Sequence, residues 1–324
     1  MINRTRHSLI EQEPWTLNAQ YFEYSRAANP IASGQTSQVP FADFPSRLHR
    51  DGPTRIIPFD LSKQLRCSSP ATSPALCANF LRIQQGERIE TNPNATSEVY
   101  YVIRGEGRTQ LQSGHLPWQE GDFFALPAGS QAEHRAETDA ALYWVHDEPL
   151  LRYLGARAAQ PRFEPTLYPR DMAAAALSEV ALHPKAKERS RLSILLANQK
   201  FAQTRTITHV LWTMFGELPK DTIQLPHRHD SVALDYIVDC LPGCFTLVGR
   251  DVDRDGHILN PRRVDWHPGS AFVTPPGLWH AHYNESGAVA RLIPMQDAGL
   301  HTYLRTLNIQ FYHPNHQSIA SNEA

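Results

Sequence analysis

Two pairs of histidines stand about fifty residues apart in the second half of the chain. The first is in Leu225-Pro226-His227-Arg228-His229. The second closes the stretch from Gly269 to Asn284, as His280-Ala281-His282. In a strand, residues two apart share a face, so His227 and His229 can point the same way. His280 follows a Pro-Pro-Gly turn, from which a returning strand can bring it opposite that pair. Three neutral imidazoles converging from two strands suit Fe(II), Mn(II), Ni(II), Zn(II) or Cu(II). The competing reading is of surface histidines or hydrogen-bonded core histidines. What favours a metal is the joint pattern. G-x5-P-x-G-x2-H-x3-N is met at every fixed position by Gly269, Pro275, Gly277, His280 and Asn284.

These paired segments resemble the two motifs of the cupin superfamily, which are small jelly-roll barrels. More narrowly, His227-Arg228-His229 with Ala233-Leu234 resembles the H-R-H-x-x-x-A-L run of the gentisate 1,2-dioxygenase-like bicupins. Thr274-Pro275 with Trp279-His280-Ala281-His282 is similar to their T-P-x-x-x-W-H-x-H. The resemblance implies a mainly β fold of two tandem barrels. It carries His227, His229 and His280 across as ligands of a ferrous ion that cleaves an aromatic ring with O2. Mn(II), Ni(II) and Zn(II) are the alternative metals.

Inward alternation from His227 puts His229, Ser231, Ala233 and Asp235 on one face. Many cupins carry a glutamate ligand where Ala233 stands, so three histidines leave coordination positions open, the mark of a catalytic metal. Asp235 is a departure, since the resemblance places a carboxylate-gripping arginine there. An aspartate facing the cavity repels a carboxylate and points to a substrate offering an amine or hydroxyl. It serves as a base or substrate contact, or else pairs with Arg291 and braces the barrel. His282 shares a face with His280 and is expected near the metal, as an acid–base group or hydrogen-bond donor. His209, Trp212, Trp279 and Arg291 are the candidate substrate contacts, with core or rim packing as their alternative.

These groups need scaffolding, and 324 residues are enough for two domains with cores of their own. The expected division is an arm over residues 1–54, a first cupin over 55–150, a linker with a short helix over 151–191, a second cupin over 192–300 and a tail over 301–324. In the first cupin, Gly86, Asn92, Asn94, Glu98 and Gly105 follow the spacing of one motif, and Gly121, Pro127 and Gly129 that of the other. Ala132 takes the place of the second motif's histidine. Asparagines and an alanine do not replace imidazoles, so this barrel is read as a metal-free internal repeat. In the second, Thr206–Phe215 is expected to be a strand, and Asp251–Asn260 a hairpin with Asp255-Gly256 at its tip. The basic group Arg47, His49, Arg50 and Arg55 is read as a solvated or interface patch, with an anion site as its alternative, and the run Lys185–Arg191 as a solvated face.

The formal charge is −2 and the pI about 6.8, which suggests neither a nucleic-acid nor a membrane partner. No apolar run approaches the ~20 residues of a membrane span. The first residues carry no apolar core of a secretory signal. Four cysteines without zinc-ribbon spacing fit reduced thiols in a cytoplasmic setting. The aromatic-bearing arm is expected to pack on a barrel or a partner subunit, making a homo-oligomer, either a dimer or a tetramer. The expected partners are a small aromatic substrate and O2.

Overall fold

A computed structural model describes residues 14–186, 189 and 191–312. The N-terminal stretch read for a signal and the tail from Pro314 onward lie outside them. Residues up to Gln38 form one unit, whose described part contains a short helix, Tyr24–Ala27. Val39 onward forms a second, much larger unit. Residues 39–54, expected in the arm, therefore belong to the larger unit. The reason is pairing: Asp43–Phe44 adds an edge strand to the sheet of the second barrel, opposite Ala271 and Phe272. His49 is buried rather than solvated, with its Nε2 2.9 Å from the carbonyl of Gly269.

The larger unit is mainly β and holds two barrels, each made of one six-stranded sheet and one smaller sheet. In the first barrel the large sheet is centred on Ser97–Arg104, Ala140–His146 and Cys77–Ile83. In the second it is centred on Ala233–Asp239 and Ala290–Gln296. The linker helix runs Arg170–Leu182, and among the described residues no helix is long and apolar enough to cross a membrane.

The large sheets read as unbroken apolar runs because both of their faces are buried. In Ser97–Arg104, Val99 and Tyr101 join a core shared by the two barrels, while Tyr100 and Val102 point into the first barrel. The second barrel answers with Leu234, Tyr236, Ile293 and Met295 on the shared side. Tyr236 sits 5.3 Å from the ring of Tyr143 and 5.5 Å from that of Tyr101. The alternate residues Asp235 and Gln296 face the inside of the second barrel, where polar chemistry replaces apolar packing.

The strand expected over Thr206–Phe215 begins only at Trp212 and runs to Leu218. Before it, Thr208 Oγ1 accepts from the amides of Val210 and Leu211, a local bond that competes with a ladder. The Asp251–Asn260 stretch does double back, with Val252 bridging Ile258.

Candidate metal centre

Strand Thr222–His229 pairs antiparallel with Trp279–Asn284, and His227 faces His280 across the ladder. A bulge between Gln224 and His227 re-aims the strand just before the histidines. The Pro275–Leu278 turn delivers the other pair. Pro276 presets its first corner, and Gly277 takes φ +76°, which a side chain adopts only with strain. Gly277 also donates its amide to the carbonyl of His229 at 2.8 Å, so the turn is tied to the first histidine segment.

Four histidines meet as a result, all buried. Ring centres lie 4.0 Å apart for His227 and His280, 4.9 Å for His229 and His280, and 6.3 Å for His227 and His229. His282 lies 5.7 Å from both His227 and His280. The closest set of ring nitrogens, all within 4.8 Å of one another, belongs to His227, His280 and His282. Distance alone therefore favours a different triad from the one expected.

Hydrogen bonding separates the four in another way. Nδ1 of His227, His229 and His280 lies 3.1, 2.8 and 3.0 Å from the carbonyls of Leu225, Ser231 and Leu278. A carbonyl only accepts, so each Nδ1 carries the proton and each Nε2 keeps a lone pair for a cation. His282 differs: its Nδ1 meets the hydroxyl of Thr246 at 2.8 Å. That oxygen already accepts the indole N–H of Trp266 at 2.8 Å, and the buried Thr246 O–H has His282 Nδ1 as its acceptor among the described residues. The proton of His282 then sits on Nε2, which makes that nitrogen a donor rather than a ligand. Burial holds all four imidazoles below their usual pKa; repulsion from neighbouring imidazoles of the cluster adds to it at His227, His280 and His282, and the charge of Arg191 adds to it at His229, so they are neutral at pH 7.

A cavity of about 470 Å³ opens onto the cluster. Asp235 lines it, and Oδ2 accepts from Thr274 at 2.9 Å. Burial pushes the Asp235 carboxyl up to about 6, against the pull of the Arg191 guanidinium. Trp212 lines the cavity too, with its indole N–H buried and without a partner among the described residues. Met214, Pro294, Ile309 and Phe311 give the apolar wall, the last two from a tail strand that pairs with His227–His229.

Three expected substrate contacts lie elsewhere. Arg291 pairs with Asp239 at 2.8 Å and reaches Glu217 at 4.0 Å, because the odd-numbered residues of its strand face the other barrel. It does not meet Asp235. Trp279 alternates with His280 and points outward, under the guanidinium of Arg228 at 4.8 Å. His209 lines a separate cavity of about 370 Å³ with Arg162 and Lys200. The residue the sequence reading missed is Arg191, whose Nε donates to Ser193 at 3.0 Å and Nη1 to Gln224 at 3.4 Å. It was hidden at the end of a charged run. The two-residue spacing to Ser193, at the head of the apolar strand Leu192–Leu196, is the signal that marks it as inward-facing.

The first barrel repeats part of this arrangement. Trp118 donates to Thr109 at 3.1 Å, and Thr109 meets His134 Nδ1 at 2.8 Å, as Trp266, Thr246 and His282 do. His134 is thus the counterpart of His282. Ala132 stands opposite Thr91 as His280 stands opposite His227, so Thr91, not Asn92, is the counterpart of His227. The bulge in the second barrel accounts for the one-residue offset. Here Tyr100 fills the space, bonded to Thr91 at 2.9 Å and donating to Glu98 at 2.6 Å. A second close group, Asp253, Asp255 and His257, sits at the hairpin tip. There the Asp253 carboxylate caps the amides of Asp255 and His257.

Comparison with known proteins agrees with this architecture. Residues 79–146, in the first barrel, match the family model of the Cupin domain. The chain thus contains a Cupin domain in its first barrel, and its two-barrel fold recurs in solved structures over most of its length. It superposes on salicylate 1,2-dioxygenase from Pseudoaminobacter salicylatoxidans, in its adduct with gentisate, with TM-score 0.69 and 12% identity. That match covers 90% of each chain. In sequence it is 33% identical over 89 residues to 5-aminosalicylate 1,2-dioxygenase of Comamonas sp, and 27% identical over 85 residues to gentisate 1,2 dioxygenase 1 of Aquipseudomonas alcaligenes. Those matches take in 27% and 26% of this chain and 24% of each relative, so they cover a small part of both.

Proposed function

We propose that the protein is an Fe(II)-dependent dioxygenase that cleaves the ring of a small hydroxylated aromatic compound, amino-substituted ones included. His227, His229 and His280 are the ligands. The observation that carries the reading is that these three buried, neutral imidazoles each have Nδ1 committed to a backbone carbonyl, which leaves three Nε2 lone pairs beside one cavity. That donor set fits a ferrous ion. Ferrous iron supplies the redox chemistry that lets O2 attack an aromatic ring, which no side chain provides.

The rest is the work of the chain itself. Ala233 puts no carboxylate among the ligands, which keeps room for substrate and O2. His282 holds a proton on Nε2 within reach of that room and donates it as a hydrogen bond to an oxygen of the substrate or of O2. Arg191 adds positive charge that attracts an aromatic acid. Phe311, Ile309 and Pro294 exclude water from the reacting face. The names of the similar proteins, which concern 5-amino-, 5-nitro- and unsubstituted salicylates and gentisate, support this substrate class.

Metal analysis with O2-uptake assays tests the reading. The expected result is about one iron per chain and O2 consumed in step with loss of a catechol, aminophenol, hydroquinone or salicylate. Zinc or manganese without O2 uptake would replace it with a redox-neutral metallocupin. The ligand assignment is tested separately. His229→Ala should lose the metal, whereas His282→Gln should retain it while turnover falls about 100-fold. Metal loss in His282→Gln but not in His229→Ala would give the ligand place to His282.

A further inference from the structure

By distance, His282 belongs with His227 and His280, since these three share the closest set of ring nitrogens. By hydrogen bonding it stands apart, since its Nδ1 meets a hydroxyl where the other imidazoles meet carbonyls. Two residues make that difference. Thr246, on the strand Cys244–Gly249, stands directly opposite His282. Trp266 follows the next strand, Arg262–Asp265, and sends its indole N–H to Thr246 Oγ1 at 2.8 Å. All three side chains are buried.

From this geometry we infer that Thr246, oriented by Trp266, is a positioning residue that keeps His282 out of the ligand set by fixing its proton on Nε2. This rests on the metal-centre reading and deepens it. The hydroxyl hydrogen of Thr246 cannot point at the indole hydrogen, so it points to His282 Nδ1. The reverse tautomer would aim two N–H groups at Thr246 Oγ1 and leave the hydroxyl hydrogen buried without an acceptor, which disfavours it by roughly tenfold or more. A nitrogen that carries a proton offers a cation no lone pair. The first barrel shows that the wiring does not exist to brace a ligand. Trp118, Thr109 and His134 are joined by the same bonds, with Ala132 and Thr91 where His280 and His227 would stand. Nε2 of His134 lies 3.0 Å from Thr91 Oγ1, a contact suited to a proton on Nε2. In both barrels the triplet aims an N–H, and in the second it does so from the wall of the cavity.

The test is imidazole 15N NMR on histidine-labelled protein near neutral pH, with the His282 ring assigned through His282→Gln. In the metal-free wild type His282 should carry its proton on Nε2, and a proton on Nδ1 overturns the inference. Metal-free Thr246→Val, nearly the same in shape, should show a mixture of both tautomers. Zinc alone is then added as the probe. In the wild type the Nε2 signals of His227, His229 and His280 should become those of bound nitrogens, while His282 keeps its N–H. In Thr246→Val, His282 should join them, and zinc should be held about tenfold more tightly. Thr246→Ser should restore the wild-type spectrum and affinity, and adding His282→Gln to Thr246→Val should cancel the gain. Turnover of the iron-loaded Thr246→Val should nevertheless fall about 100-fold. Tighter metal with lower activity is a pairing that mere structural damage does not produce. Zinc on His282 in the wild type overturns the inference. So does a Thr246→Val protein whose His282 signals and zinc affinity match the wild type. A wild type that binds neither zinc nor iron removes the metal-centre reading alone, because the metal-free spectra still decide whether Thr246 fixes the proton.

Discussion

Glu98 keeps its proton at neutral pH. Burial pushes its carboxyl up to about 8, although Tyr100 at 2.6 Å and Trp144 at 3.0 Å both donate to it. In the unfolded chain the same group titrates near 4.5. Its contribution to stability is therefore complete below pH 4.5 and drains away as pH rises to about 8. His134 and His146 work in the opposite sense, since burial lowers both to about 3. Below about pH 6.5 the unfolded chain takes up protons that the folded chain refuses, so stability falls as pH drops from there toward 3. Glu98→Gln removes only the first effect. Its Tm should match the wild type at about pH 4 and exceed it by roughly 2–5 °C at about pH 8.5, as measured by calorimetry. Parallel Tm–pH curves for the two proteins would refute this account. At this scale the histidines were legible because a two-residue spacing beside fixed glycine and proline positions is a local signal. Arg191 was not, since a charge at the edge of a basic run looks solvated until its strand partner is known. Arg291 was misplaced for a related reason. When both faces of a sheet are buried, alternation says which residues share a face but not which face holds the site.

Among the elements, the turn at Pro275–Leu278 does the most positioning. Gly277 has φ +76°, and a Cβ there would meet nothing within 4 Å. Gly129 has φ +72° and equally open surroundings at the same place in the first barrel. Gly→Ala at either site therefore costs backbone strain without a clash, about 1–2 kcal/mol. The consequences should diverge. Gly277→Ala should also weaken metal retention severalfold, because the turn carries His280 and its amide holds the carbonyl of His229. Gly129→Ala should cost similar stability and leave metal content unchanged. Equal metal retention in both variants would mean that the turn does not set the histidine geometry. Strands were legible wherever apolar runs were bounded by Gly or Pro. They failed at Thr206–Leu211, where the Thr208 side chain caps amides that β-propensity assigns to a ladder. The tail strand Ile309–Phe311 was too short to show a period, although it forms part of the cavity wall.

Across the whole molecule, the two barrels share one apolar core. Phe59, Phe80 and Tyr143 of the first half pack in one cluster with Leu234, Tyr236 and Met295 of the second. The Tyr143 hydroxyl also donates to the carbonyl of Leu234 at 3.3 Å. Truncating Tyr236 to alanine should cost about 3–5 kcal/mol, the range for large aromatic deletions in a core. Because the cluster belongs to both halves, unfolding followed by calorimetry should remain a single transition moved to lower temperature. Two resolved transitions would show that the halves fold independently. The internal repeat was visible in the sequence as matching glycine and proline spacings. The face-to-face contact of the two large sheets was not, because it depends on which side of each apolar run turns outward.

The Trp–Thr–His chain occurs in both barrels, yet the imidazole at its end has different company in each. In the second barrel it belongs to the buried group with His227 and His280 that borders the cavity. In the other copy Thr91 blocks it at 3.0 Å, and a tyrosine ring has moved in alongside. The same wiring thus ends in a socket on one side and a plug on the other. Reopening the first barrel would mean evicting Tyr100 as well as restoring ligands, so grafted histidines alone should leave that half inert.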